Sequence, residues 1–329
     1  MKRLIFSLVL VVGFASTLHS APAKLLRHPD YHQGKVVFSY LGDLWLVAEG
    51  GGPAVRLTVH TARDIYPRFS PDGRWIAFSS NRYGNYDVFV MPAEGGPATR
   101  LTFNSAADTV VGWSRDSERI IFTSARGSYF PGIPNLYEVP RTGALPTRLP
   151  TDWGYWGSYS PDGKRFAFNR HPMVWWRKHY RGSFAADVWV MDVARKSFQK
   201  LIADEFEGNH LWPMWGNGFI YFVSDRDPAG RALKAGDAGV MASANNIWKV
   251  SEGGGKPVRV TNHRQGNVFW PSISSDGRVI VYENNFGLWK LDTESGQSTE
   301  IKADIRSDEK ENTVETVTYN AQADSYYLS

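Results

Sequence analysis

Two pairs of residues are of types that bind metal ions, but their positions do not favour a site. His28 and His32 stand four residues apart, a spacing that places two ligands on one face of a helix. Pro29 and the repeat described below place both in a strand instead, where residues four apart lie roughly 13 Å from each other. The carboxylates of Asp225 and Asp227 suit a cation, and turn capping is the simpler role for them. We expect no metal ion and no cofactor in this chain.

A nucleophile is equally hard to find in the sequence. No serine lies in a Gly-x-Ser-x-Gly elbow, and the nearest stretch, GSYSPDG at Gly157 to Gly163, is a turn between two strands. The chain has no cysteine, which excludes disulfide bonds, thiolate metal sites and a cysteine nucleophile. We therefore predict no catalytic residue in this chain.

The segment WWRKHYR, residues 175–181, is the best candidate for binding. Arginine and lysine beside aromatic rings make cation–π contacts and hydrogen bonds to carboxylates. The candidate substrate-binding or partner-binding residues are Trp175, Trp176, Arg177, Lys178, Tyr180 and Arg181.

A repeated unit must position these residues. An apolar residue precedes each turn related to Ser-Pro-Asp-Gly, and these residues are Tyr31, Phe69, Trp113, Tyr159, Trp215, Ile273 and finally Leu328. The steps between them are 38, 44, 46, 56, 58 and 55 residues. In the turn, proline presets the backbone, aspartate suits the next position and glycine takes the positive φ that follows. The sequence thus contains six full units and the start of a seventh.

Each unit predicts four short strands that are covered on both faces. The second strands are apolar without alternation, as in Trp75 to Phe78 and Ile120 to Phe122. Four-stranded units of this length, repeated six times, are typical of a β-propeller. A solenoid would have shorter units, and a sandwich would not repeat so regularly. We predict an all-β fold, a six-bladed propeller over 24–303, in which every blade is contiguous in sequence.

The two ends of the chain differ from the repeats. Lys2 and Arg3 precede the apolar run Leu4 to Phe14, and small residues follow, as in a secretory signal peptide. We predict that residues 1–23 are this signal, cleaved after Ser20 or Ala23, with an uncleaved membrane anchor as the alternative. Export without disulfide bonds suits a bacterial periplasm or cell surface.

Removal of Lys2 and Arg3 lowers the formal net charge from +4 to +2, which gives no support for binding nucleic acid. At the other end, the polar run from Ala303 to Asn312 is interpreted as a linker. We expect residues 304–329 to comprise this linker and the first strand of a second propeller, so that the chain is the front of a longer protein.

The repeat resembles the broad class of TolB-like propellers, and two longer stretches resemble the N-terminal propeller of tricorn-type peptidases. These are WWRKHYRGSFAADVWVMD, Trp175 to Asp192, and WPMWGNGFIYFVSDRD, Trp212 to Asp227. The resemblance extends from about Leu25 to the end of the chain. It implies a seven-bladed second propeller, a PDZ domain and a serine-peptidase core downstream, with peptides or unfolded polypeptide as partners. The family's catalytic residues lie in that C-terminal core, so none corresponds to a residue here.

The resemblance implies a non-catalytic propeller that recognises or gates substrates for an exported serine peptidase. The archetype is cytosolic and hexameric, so the export signal leaves homo-oligomerisation open. A stand-alone TolB-like protein-binding scaffold in the periplasm is the alternative, and a propeller enzyme with its site at the channel mouth is a third. Residues 175–181 would overhang the channel mouth, or else pack on blades four and five with their charges pointing outward.

Overall fold

Six antiparallel sheets of four strands each make up the chain. The computed structural model describes residues 23–128, 133–171, 175–180, 182–203, 208–226 and 244–305. Residues 1–22 of the predicted signal lie outside these residues, as do most of the predicted linker and the strand beyond it, from residue 306 onward. Throughout the described ranges the regular elements are all strands, and none of these residues forms a helix that could cross a membrane.

Each sheet is a blade built from four strands that follow one another in the chain. Blade one contains β1 (Arg27–His32), β2 (Lys35–Tyr40), β3 (Asp43–Ala48) and β5 (Val55–Arg56), with β4 (Gly52–Pro53) outside the sheet. Blade two contains β6 (Asp64–Phe69), β7 (Trp75–Tyr83), β8 (Asn85–Pro92) and β9 (Thr99–Arg100). Blade three contains β10 (Asp108–Trp113), β11 (Arg119–Ser124), β12 (Asn135–Pro140) and β13 (Thr147–Arg148).

The later blades repeat the order. Blade four contains β14 (Gly157–Tyr159), β15 (Arg165–Asn169), β16 (Val188–Asp192) and β17 (Ser197–Lys200). Blade five contains β18 (His210–Trp215), β19 (Phe219–Ser224), β20 (Asn246–Ser251) and β21 (Val258–Arg259). Blade six contains β22 (Phe269–Ile273), β23 (Val279–Asn284), β24 (Gly287–Asp292) and β25 (Ser298–Ile301), followed by β26 (Ala303–Asp304). The prediction of six contiguous blades is confirmed.

The first strands of the blades form the inner ring. Each contacts the first strand of the next blade, and β1 contacts β22, which closes the circle. Each first strand ends at the turn that resembles Ser-Pro-Asp-Gly, so these turns share one face of the disc, called here the turn face. In blade two, Ser70 Oγ donates to Asp72 Oδ1 at 2.5 Å and accepts from Trp75 N at 3.0 Å. The same serine–aspartate contact recurs in blades three, four and six, so the turn is a repeated hydrogen-bonded unit.

The core lies between the blades. On β7, Ile76 and Phe78 pack into a cluster shared with blade one, whereas Ala77 packs into a cluster shared with blade three. All three side chains are fully buried. Successive side chains of a strand point to opposite faces, so a strand between two blades has to be apolar at every position. The predicted burial of both faces is thus confirmed.

The ring closes at the seam between blades six and one without exchange of a strand. Ala303 and Asp304, placed by the sequence in a linker, instead form β26, which pairs in parallel with β4. Ala23 N also donates to Ala303 O at 3.1 Å. Local polarity cannot reveal backbone pairing with a segment this distant in sequence, so no sign of β26 was present in the sequence.

Candidate functional site

Four of the inner strands carry a bulge at the same repeat position. In β1, β6, β18 and β22 the pairing with the second strand skips two residues, the first of which is aromatic and the second proline. The aromatic residues have φ between 50° and 53°, and they are His28, Tyr66, Trp212 and Trp270. Bulky side chains rarely adopt this left-handed conformation, which costs roughly 1–3 kcal/mol per residue. The bulge turns these rings toward the axis of the propeller.

Rings from five blades meet at the axis and form what we call the aromatic plug, which consists of His28, Tyr66, Trp156, Trp212 and Trp270. The ring centroids of Tyr66 and Trp270 are 5.4 Å apart, and those of Tyr66 and Trp156 are 5.5 Å apart. Blade two is adjacent to neither blade six nor blade four, so both contacts span the axis. His28 lies 4.0 Å from Tyr66, and Trp212 lies 5.3 Å from Trp270. The middle of the channel is therefore filled by side chains.

The predicted binding segment lies over the plug on the face opposite the turns. Trp175 is half-buried, with its ring 5.5 Å from Trp270 and 5.4 Å from Phe269. Trp175 therefore contacts blade six beside the axis, and it also packs against the core cluster that includes residues of blades four and five. Trp176 is 63% exposed, and Arg177 stacks on Tyr180 at 4.7 Å.

The segment contains two further basic residues, Lys178 and Arg181. Lys178 is half-buried and burial lowers its pKa. Arg181 lies outside the described residues. The structure thus brings Trp175 to the axis, and leaves Trp176 at the surface.

Asp225 holds this segment in place. Its Oδ2 accepts a hydrogen bond from His179 N at 2.6 Å, and its Oδ1 accepts one from Asn209 N at 3.0 Å. Asn209 Nδ2 in turn donates to Arg177 O at 2.9 Å. The sequence predicted turn capping for Asp225, and the structure shows capping across segments 46 residues apart. Asp227 lies outside the described residues.

On the turn side of the plug lies a cavity of about 100 Å³ that is lined by all six blades. Each inner strand contributes one residue to the wall of this cavity, two positions after its plug position. We call these six residues the axial ring, and they are Asp30, Arg68, Gly112, Ser158, Met214 and Ser272. His32 also lines the cavity, with its ring 5.8 Å from Phe69, whereas His28 belongs to the plug. The two histidines therefore lie in different layers of the channel.

Arg68 and Asp30 are the charged members of the axial ring. Arg68 is 3% exposed; its Nε donates to Val111 O at 3.2 Å, and its Nη1 donates to Pro29 O and Pro67 O at 3.1 Å each. Its Nη2 is buried without a hydrogen-bond partner in the described chain. Asp30 accepts from Phe69 N at 2.6 Å and from Ser272 Oγ.

Burial dominates the electrostatics of this site. It raises the pKa of Asp30 and lowers the pKa of Arg68, because the charged form of each loses its hydration. Burial likewise lowers the pKa of His28, so that its ring is neutral inside the plug. Arg115, whose Nη2 donates to Ser275 O at 2.8 Å at the edge of the cavity, also has a lowered pKa because of burial.

One buried histidine has a carboxylate neighbour, as a general base would. His210 Nδ1 lies 3.4 Å from Asp187 Oδ1, but its Nε2 lies 2.8 Å from Arg226 Nη2 and is occupied by that donor. A base needs a free nitrogen facing the reacting group. Within the described residues no group of three His, Asp or Glu side chains is arranged to hold a metal ion.

The sequence analysis missed the plug, the axial ring and Arg115. A signal for the plug was present: His28, Tyr66, Trp212 and Trp270 each precede a proline at the same distance from the repeated turn. No local signal marks Arg68, because its surroundings come from blades one and three.

Comparisons with known proteins agree on one family. A family model described as the tricorn protease N-terminal beta propeller domain matches residues 23–297. Tricorn protease homolog 1 from Streptomyces coelicolor is 30% identical over 294 residues, which are 88% of this chain and 25% of the relative. The chain thus spans about a quarter of the length of this relative.

Solved structures show the same fold. A crystal structure of the tricorn protease superimposes with a TM-score of 0.73 at 21% identity, over 88% of this chain and 27% of that one. TolB from Acinetobacter baumannii superimposes with a TM-score of 0.60 at 15% identity, over 82% of this chain and 63% of that one.

Proposed function

Since the chain belongs to the family of tricorn protease N-terminal β-propellers, we propose that it is the non-catalytic recognition and gating propeller of an exported serine peptidase. Its partners would be peptides or unfolded polypeptide, together with a second propeller, a PDZ domain and a peptidase core in the same protein. The family match over 23–297 carries the assignment to a peptidase.

The contacts across the axis support a gate that is closed at rest. A folded domain cannot pass an axis on which Tyr66 contacts both Trp156 and Trp270 across non-adjacent blades. An extended peptide would have to displace these rings. Trp175 is the plug contact easiest to move, because it is half-buried and comes from an insertion rather than from an inner strand. We therefore propose that the gate begins to open when the Trp175 side chain moves away from Trp270.

The test compares variants of the protein that the complete gene encodes. Trp175→Ala should raise the rate of hydrolysis of long unfolded peptides several-fold and leave short fluorogenic peptides unaffected. Phe103→Ala, which removes an exposed ring outside the segment, is the control, because Trp176 itself contacts Trp175. Equal rates for Trp175→Ala and the unsubstituted enzyme on long peptides would exclude gating by this ring.

The TolB-like scaffold is the second candidate, and it rests on likeness of fold alone. It predicts stable capture of a cell-envelope protein by the purified chain. The peptidase proposal predicts instead that the complete gene continues into a peptidase core and that its product cleaves peptides.

We propose that the protein is exported, because residues 1–23 resemble a secretory signal peptide. The mature N-terminus, read by mass spectrometry from secreted protein, should be Ala21 or Lys24.

A further inference from the structure

We propose that the axial cavity on the turn face is a binding site for a small carboxylate anion, held between the guanidinium groups of Arg68 and Arg115. This inference concerns the chain itself and stands independently of the proposed peptidase.

The first support is the charge balance of the cavity. Arg68, Arg115 and Asp30 are the groups of fixed charge that line it, and two cations with one carboxylate leave a net charge of +1. In the described chain neither arginine has a carboxylate oxygen within 4 Å, whereas five half-buried arginines of the blades do, namely Arg56, Arg82, Arg100, Arg126 and Arg170. Asp30 attracts Arg68 electrostatically, but its oxygens accept from Phe69 N and Ser272 Oγ and none lies within 4 Å of the guanidinium nitrogens. Buried charges are normally paired, so an anion is missing from this inventory.

The second support is the unfilled hydrogen-bonding capacity of Arg68. A guanidinium group has five N–H donors, and the three hydrogen bonds from Nε and Nη1 all go to carbonyl oxygens. Nη2 is buried and donates to no atom of the described protein. A buried donor without a partner costs about 1–3 kcal/mol, and an acceptor oxygen brought within reach of Nη2 by a small movement of the Arg68 side chain would recover it.

The third support is the shape of the cavity. Part of the space in the cavity exists because the axial-ring residue of blade three is a glycine, Gly112. An ideal Cβ on Gly112 would meet no atom within 4 Å. The walls also include apolar side chains, namely Phe69, Val111, Trp113, Tyr159, Trp215 and Ile273. A volume of about 100 Å³ admits a carboxylate with a short apolar tail and is too small for a peptide segment.

Tryptophan fluorescence of the whole chain reports binding, because Trp113, Trp156 and Trp215 line the cavity. The probes are sodium acetate, sodium propionate, N-acetylalanine and sodium phosphate, each titrated at constant ionic strength against sodium chloride. We expect a saturable change with propionate and acetate and none with chloride. If N-acetylalanine also binds, the natural ligand class includes the carboxylate of an amino acid. If propionate binds and N-acetylalanine does not, the natural ligand is a small free carboxylic acid. Saturation by phosphate alone, or by none of the probes, would overturn the proposal.

Two variants test the location of the binding site and leave Arg68 in place, because substitution of this buried residue endangers folding. Arg115→Gln removes one cation, and Gly112→Val fills the room beside Arg68; each should weaken propionate binding about tenfold or more. Arg74→Gln is the matched control, because Arg74 lies on the same face and pairs with Asp72 in solvent. Propionate affinity that is unchanged in both Arg115→Gln and Gly112→Val would show that the anion binds elsewhere and refute the assignment.

Discussion

Arg27 and Glu283 form an ion pair across the seam between the first and last blades, with Nε 2.7 Å from Oε2 and the glutamate side chain 4% exposed. The corresponding positions of the other second strands hold uncharged residues, namely Ser39, Ser79, Thr123, Asn169 and Val223. The glutamate thus occurs at the one blade boundary that no chain connection crosses.

Other contacts reinforce the same seam. Lys290 Nζ lies 3.0 Å from Glu49 Oε2, Lys24 Nζ lies 3.0 Å from Glu300 Oε1, and β26 pairs with β4. The ring is therefore closed by ion pairs and a two-residue parallel ladder in place of an exchanged strand.

The first prediction is that Glu283 makes stability fall as the pH rises from about 4.5 to 7. Burial raises the pKa of Glu283 from 4.5 to about 7, although Arg27 opposes the shift. In this interval the folded state holds a proton that the unfolded chain has released, so the free energy of unfolding decreases with pH. The full effect is at most about 3 kcal/mol. Urea unfolding of Glu283→Gln between pH 4.5 and 8 should show a flatter pH dependence than the unsubstituted chain.

The control for this prediction is Glu300→Gln, which removes a more exposed carboxylate from the same seam. Its profile should follow the unsubstituted chain. Parallel profiles for Glu283→Gln and the unsubstituted chain would mean that Glu283 is ionised throughout.

The second prediction concerns the threonine that follows the fourth strand. Thr102 is 1% exposed, and its Oγ1 accepts from Val88 N at 2.9 Å. Thr58 and Thr261 make the same bond in blades one and five. Thr102→Val leaves Val88 N without this acceptor, so we expect a loss of about 1–3 kcal/mol in the free energy of unfolding. Thr99→Val in the exposed part of β9 is the control and should change stability by less than about 0.5 kcal/mol.

The third prediction tests the left-handed backbone of the plug. Glycine usually destabilises a strand by about 0.5–1 kcal/mol relative to alanine. At Trp270, where φ is 50°, the order should reverse, so that Trp270→Gly is more stable than Trp270→Ala. Both should be less stable than the unsubstituted chain by about 3–5 kcal/mol, because a large ring is lost from the core.

The comparison site is Trp215, which is 3% exposed and has no positive φ. There alanine should be the more stable substitution. The same order at both tryptophans, measured by urea unfolding, would contradict the strained bulge.

The fourth prediction is that Asp225 protects the binding segment from proteolysis. Asp225→Ala removes the acceptor of His179 N and Asn209 N, so the backbone around Arg177 and Lys178 should open more often. Trypsin should then cleave after Arg177 or Lys178 at least about tenfold faster, as followed by mass spectrometry. Asp162→Ala, in the exposed turn of blade four, should leave the cleavage rate unchanged. Equally slow cleavage in Asp225→Ala would show that other contacts hold the segment.

Much of the fold was readable because each blade repeats a local pattern. The turn residues mark where each first strand ends, and continuous apolar runs such as Ile120 to Phe122 require cover on both faces. These are short-range properties, so the number of blades and the order of their strands followed from the sequence alone. The candidate segment from Trp175 to Tyr180 was found in the same way, from an insertion rich in aromatic and basic residues.

The tertiary structure alone decided what happens at the axis. Tyr66 meets Trp156 and Trp270 only after the ring has closed, and Arg68 meets Val111 only when blades two and three have packed, because these contacts join residues from 43 to 204 positions apart. The repeat predicts that every inner strand faces the channel, but the width of that channel depends on six side chains acting together and on the bulges that turn them inward. The closed plug and the surroundings of the Arg68 guanidinium group are therefore properties of packed blades, since no single blade contains either of them.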